Sequence, residues 1–140
     1  MKISIDAHIN EDILKVWDYY NDPKHIVKWN QASSDWHSPH AVNHLKVGGT
    51  FSYRMEAKDG SAGFDFTGKY TEIQKPFILK YVLDDGREVD VLFKIMGSGT
   101  HVFLSFDPED EYPEEFQKQG WNAILQSFKK YCESLKEKAD

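Results

Sequence analysis

The chain has 140 residues, 40% of them hydrophobic and 14% aromatic, with a net charge of −6 at pH 7. That length fits one compact domain spanning residues 1–140, and that apolar share excludes a disordered tail. The acidic balance, with no basic run, excludes a nucleic-acid surface built on clustered Lys and Arg.

Residues 2–9, KISIDAHI, alternate, which predicts a strand with Ile3, Ile5, Ala7 and Ile9 on one face. Asn10 is the predicted cap of a helix, with Glu11 and Asp12 in its first turn and Ile9 stapled onto Leu14. Ile13, Val16, Trp17 and Tyr20 form its apolar stripe. Asp22-Pro23 starts a second, short helix that carries Ile26 and ends near Trp29.

The period then returns to two. In 41–47, Ala41, Asn43, Leu45 and Val47 form the more apolar face, which is expected to point inward. His40, Val42, His44 and Lys46 take the outer face. Gly48-Gly49 turn the chain into a strand with Phe51, Tyr53 and Met55 on one side. Asp59-Gly60 marks a hairpin. Phe64, Phe66, Gly68 and Tyr70 share the next face, followed by Leu79, Tyr81 and Leu83. After the turn at 84–87 come Val89, Val91, Phe93 and Ile95, and after GSG come Val102, Leu104 and Phe106. Repeated strands with tight turns predict an antiparallel meander.

The last segment has a helical period. Trp121, Ile124, Phe128, Tyr131 and Leu135 recur at spacings of three and four, joined by Leu125 and Cys132. The predicted helix covers about 113–137. The fold class is therefore α+β: a curved antiparallel sheet of about six to seven strands wrapped around one long C-terminal helix. Two short helices follow the first strand.

The stretch WHSPHAVNH holds His37, His40 and His44, which invites a metal-site reading. Pro39 breaks any helix that would gather them, the strand phase sends His40 and His44 outward, and His37 is expected in the loop before the strand. The reading is surface histidines, with no metal and no cofactor. Cys132 lies on the inner stripe with no base nearby in sequence, so it reads as a buried hydrophobe rather than a nucleophile. With one cysteine there is no intramolecular disulfide. The opening MKISIDAHINEDILK has no continuous apolar run of the signal-peptide kind, and no stretch predicts membrane insertion. A cytoplasmic location is expected.

The strongest chemical signal is aromatic. Trp29, Phe51, Tyr53, Phe64, Phe66, Tyr81, Phe93, Trp121, Leu125 and Phe128 fall on faces turned toward the space between sheet and helix. Asn43 joins them by parity, as a polar group able to orient a ligand. A filled core and an open cavity both fit these residues.

Four stretches carry a resemblance: VWDYYNDPKHIVKW at 16–29, LKVGGTFSYRM at 45–55, GKYTEIQKP at 68–76 and GWNAILQSFKKY at 120–131. In this order they resemble the helix-grip superfamily, also called START-like or SRPBCC. Within it, they are similar to the C-terminal domain family of the activator of the heat-shock-protein-90 ATPase. The resemblance implies a helix-grip fold with a retained pocket, which favours the cavity. It does not imply one activity. Relatives of this kind bind lipids, polyketides, flavonoid-like molecules or protein clients, and a minority are cyclases. The family often has an acidic residue before its L-[RK]-V-G-G motif. Here that position is His44, so no carboxylate role carries over.

The expected function is non-enzymatic binding of a small hydrophobic molecule. The alternatives are a chaperone-associated or stress-response module and a cyclase-like enzyme using cavity Tyr and Asn groups. The eukaryotic activator carries a further N-terminal domain that these 140 residues do not contain, which places chaperone activation second. A monomer or weak homodimer is expected.

Overall fold

Alternation sets the sheet, and the computed structural model describes it over residues 2–139. The order is β1 (Ile3–Ile9), α1 (Ile13–Asn21), α2 (Pro23–Trp29), β2 (Trp36–His37), β3 (Ala41–Asn43), β4 (Thr50–Ala57), β5 (Gly63–Gln74), β6 (Ile78–Leu83), β7 (Glu88–Met96), β8 (Gly99–Phe106) and α3 (Glu114–Ala139). The strands form one antiparallel sheet in the order β1-β8-β7-β6-β5-β4-β2, with β3 also pairing with β4. Two of its eight strands, β2 and β3, are only two and three residues long.

Side chains of period two place Ile3, Ile5, Ala7 and Ile9 under cover, with their neighbours exposed. The same phase buries Val89, Val91 and Phe93 in β7 and Val102, Leu104 and Phe106 in β8. A register shift between Tyr70 and Glu72 marks a bulge in β5, which bends that strand. The long helix α3 covers the inner face with Leu125, Phe128 and Cys132, all buried.

Five expectations are corrected. Asp12, not Asn10, caps α1: its carboxylate accepts the Leu14 N–H at 3.1 Å. The chain leaves β1 through a turn in which the Glu11 N–H bonds the Ile9 carbonyl, and this delays the helix. The Asn10 N–H goes instead to Glu133 on α3, at 2.9 Å. Leu14 is half-exposed, so Ile9 is not stapled to it.

The inward run also stops at Asn43. The N–H of Lys46 returns to the His44 carbonyl, and that of Gly49 to the Lys46 carbonyl, so 44–49 is a turn. Leu45 and Val47 consequently face solvent. Gly48 has φ +83°, which only glycine adopts without strain. Ile95 is likewise exposed, because β7 runs on past its cover. The histidine His37 lies in β2 rather than a loop, with Nε2 3.6 Å from Glu56.

Candidate functional site

Large rings on the inner face of a bent sheet cannot all reach the helix, and space remains between them. Here it is a cavity of about 350 Å³. Strand β4 contributes Phe51, Tyr53 and Met55 to its wall, and β5 contributes Phe64, Phe66 and Tyr70. Tyr81 comes from β6 and Leu104 from β8. The helices close it with Tyr20, Trp29, Trp121, Ile124, Leu125 and Phe128. Asn30, Arg87 and Glu109 are the remaining polar members of the wall.

Packing fixes the rings. Trp121 stacks on Phe106 and meets Phe66 edge-on at 5.9 Å. Phe128 meets Trp29 at 4.8 Å, and Trp29 stacks on Tyr20. Phe51 touches Tyr53, Phe66, Tyr70 and Tyr81. These offset and edge contacts suit the ring quadrupoles.

Two of the residues expected at the site are elsewhere. Phe93 is buried, but β7 carries it under α1, where it packs edge-on against Trp17 at 5.3 Å and Tyr20 at 5.7 Å. Asn43 sits behind the wall. Its Oδ1 accepts the Tyr70 hydroxyl at 2.7 Å, and its Nδ2 donates to the Asn21 carbonyl at 2.8 Å. Its amide is spent on the protein itself. The other nine, Trp29, Phe51, Tyr53, Phe64, Phe66, Tyr81, Trp121, Leu125 and Phe128, stand together around the space.

The hydroxyl groups are largely paired as well. Tyr20 and Tyr81 share a hydrogen bond of 3.2 Å. Burial raises the pKa of Tyr20, Tyr53 and Tyr81 well above the ordinary tyrosine value. Burial also pushes Tyr70 up to about 12, although hydrogen bonds to Tyr53 and Asn43 pull the other way. All four therefore hold their protons at neutral pH.

Arg87 and Glu109 occupy the wetter end of the wall. The Arg87 Nε lies 2.8 Å from Asp85, and its Nη2 lies 3.8 Å from Glu109. The loop before α3 is braced by Gln117, which donates to the Glu109 and Tyr112 carbonyls and accepts the Glu109 N–H.

Sequence reasoning passed over Asn30, Arg87 and Glu109, which lie in connections where no period speaks. It also left out Tyr20 and Ile124, whose helical stripes were legible, and Met55 and Leu104, whose strand parity was legible. Among the described residues no group of three or more His, Cys, Asp or Glu is disposed to hold a metal ion. No described helix is long and apolar enough to cross a membrane.

The family model of Activator of Hsp90 ATPase homolog 1-like proteins matches residues 12–133. The chain belongs to this family. The solution structure of an AHSA1-like protein from Aeromonas hydrophila is 51% identical, with a TM-score of 0.91 over 96% of this chain and 94% of that one. A protein from Cytophaga hutchinsonii is 48% identical, with a TM-score of 0.82 over 97% and 94%. A crystal structure from Nitrosomonas europaea, 16% identical, shares the fold, with a TM-score of 0.83 over 96% and 95%. No curated protein matches the chain. The AHSA1-like domain thus has the helix-grip architecture, and its sheet–helix cavity is the feature on which a function can be built.

Proposed function

We propose that this AHSA1-like domain binds a small, mostly apolar molecule between the sheet and α3, without transforming it. Lipid, flavonoid and polyketide-like compounds are the candidate classes. The carrying observation is the cavity of about 350 Å³ walled by aromatic rings. Its volume falls in the range of roughly 300–1,000 Å³ usual for small-molecule sites, which are lined by apolar groups with few polar ones.

Catalysis has less support. A tyrosinate base is disfavoured by the raised pKa values of Tyr20, Tyr53, Tyr70 and Tyr81. The tyrosine hydroxyls instead supply neutral polar contacts. A cytoplasmic monomer or weak homodimer is the setting we assign.

A thermal-shift and native mass-spectrometry screen of lipids, flavonoids and polyketide-like compounds tests the proposal. A ligand raises the melting temperature in proportion to the logarithm of its concentration above Kd. Absence of any shift at millimolar ligand across all three classes defeats it.

A second reading is a chaperone-associated interaction module. It is favoured by the family's description and by Tyr112 and Phe116, an exposed aromatic pair 5.5 Å apart beside the acidic loop at 107–111. Pull-down of the 90-kDa chaperone, with an ATPase assay, decides it. No binding at tens of micromolar ends that reading.

A further inference from the structure

The polar groups of the cavity wall fall into two sets. Tyr20 and Tyr81 bond each other, and Tyr70 bonds Asn43, so that set is spent on the protein. Arg87 and Glu109 are different. They are the charged residues among those lining the wall. Their side chains keep 20% and 34% exposure, so this end of the cavity is not sealed.

Each is fixed by its own surroundings. Arg87 closes the turn at 84–87: its carbonyl accepts the Leu83 N–H at 2.8 Å, and its Nε donates to Asp85 at 2.8 Å. Glu109 is held through its backbone, whose N–H and carbonyl both bond the buried Gln117 side chain of α3. Neither bond uses the Glu109 carboxylate. That carboxylate stands 3.8 Å from Arg87 Nη2, near enough for attraction and too far for a direct hydrogen bond. A donor edge and an acceptor are therefore preset side by side without closing on each other.

The apolar part of the wall begins beside them. The Asp84 N–H reaches the carbonyl of Thr67, the residue after Phe66, and Phe66 meets Trp121. Trp121 in turn stacks on Phe106, three residues before Glu109. Polar and apolar groups thus adjoin at one end of the cavity.

We infer that Arg87 and Glu109 form a subsite for the polar end of an amphiphilic ligand, a neutral group that both accepts and donates hydrogen bonds, such as a primary amide or a hydroxyl. This deepens the binding reading above and rests on it. The guanidinium donates to the oxygen of that group, and the carboxylate accepts its N–H or O–H. Neutrality follows from the charges. One guanidinium already stands between two carboxylates, Asp85 and Glu109, so an anionic end would add a third negative charge. A cationic end would meet Arg87 as a like charge.

The test uses the full chain and four probes on one fused-ring body: 2-naphthamide, methyl 2-naphthoate, 2-naphthoate and naphthalene. The first donates and accepts, the second only accepts, the third is an anion, and the fourth has no polar group. Calorimetry at neutral pH is expected to give the amide a roughly three- to tenfold lower Kd than the ester, the worth of one net hydrogen bond. Naphthoate is expected to bind more weakly than the amide. Arg87→Met is expected to abolish the preference for the amide. Glu109→Gln removes the negative charge and is expected to tighten naphthoate several-fold, and it serves if Arg87→Met does not fold. Both variants are expected to leave the Kd of naphthalene within twofold, which a general distortion of the cavity would not do.

An amide that binds no better than the ester, a preference that survives Arg87→Met, or naphthoate unmoved by Glu109→Gln would overturn the subsite and leave the cavity reading standing, since naphthalene still binds. Failure of all four probes to bind would overturn the two together.

Discussion

Trp121 lies flat against Phe106, with ring centroids 4.0 Å apart and planes 9° from parallel. This contact joins the first half of α3 to the last strand, and Trp121 is at the same time part of the cavity wall. One side chain thus serves both cohesion and enclosure. Trp121→Ala is expected to cost about 2–4 kcal/mol, at the lower side of large-to-small losses because the ring is only partly buried. Urea denaturation followed by circular dichroism measures it. An unchanged midpoint would mean the stack adds nothing.

Gly68 faces Phe51 across the β4–β5 pair. A Cβ at this position would lie 2.6 Å from the Phe51 Cζ and 3.0 Å from the Val82 carbonyl oxygen. Gly68→Ala therefore displaces the Phe51 ring toward the cavity. The expected loss of stability is about 1–3 kcal/mol, typical of overpacking. Hydrophobic probe binding is expected to weaken more than the stability loss alone explains. Binding that stays unchanged in the folded variant would place the displaced ring elsewhere.

Phe93 gives the contrasting case. It is core beneath α1 and not part of the wall, so Phe93→Leu should destabilise by about 1 kcal/mol while probe affinity stays within twofold. Phe66→Leu, on the wall, is expected to change affinity several-fold at a similar stability cost. Titration of both variants with one probe separates core from wall.

The buried tyrosines set an alkaline limit. Their native pKa values are raised, above the ordinary value of 10. As pH passes 10, the unfolded chain releases these protons while the native chain keeps them. The unfolded state then binds fewer protons, so stability falls with rising pH. The contribution is whole below pH 10. It declines through about 12, where Tyr70 ionises, and beyond. Denaturant midpoints across pH 8–12, with tyrosinate absorbance read in parallel, test this. Early ionisation without loss of structure would contradict it.

Cys132 is fully buried, and burial pushes its thiol pKa up. Thiolate is the reactive form, so the native thiol should be inert to an aromatic disulfide reagent at pH 8. Its reaction rate is expected to track the unfolded fraction through a urea series. Fast labelling of the native protein would show that the helix stripe opens locally.

Most of the fold was legible because its signals are periodic. Ile3 to Ile9 and Trp121 to Leu135 each declare their element by spacing alone. Asp22-Pro23 announced α2 by cap chemistry, and that reading matches the structure. What failed was local. Asn10 and Asp12 are both good caps, and only the Glu11–Ile9 turn chooses between them. Leu45 and Val47 keep the alternating pattern, but a pattern carries no mark for the residue at which pairing stops. Phe93 shares its strand phase with the wall residues. Which inward ring meets helix α1 and which meets open space depends on sheet curvature, and that is a property of the whole chain. Asn30 was invisible for a different reason. Its buried Nδ2 has no hydrogen-bond partner among the described residues, and a lack of partners is something sequence cannot list.

The strand order has a further consequence. Among the described residues, 3–9 pair only with 100–106, from Ile3 against Phe106 to Ile9 against Thr100. On the ribosome, β1 is made early and must wait without its partner until β8 has emerged. Closing so long a loop is slow, and contacts this distant in sequence delay folding. The meander from β4 to β8 can assemble from neighbours as it appears. Birth order and assembly order are therefore reversed at β1: a strand made before the meander is among the last to take its place.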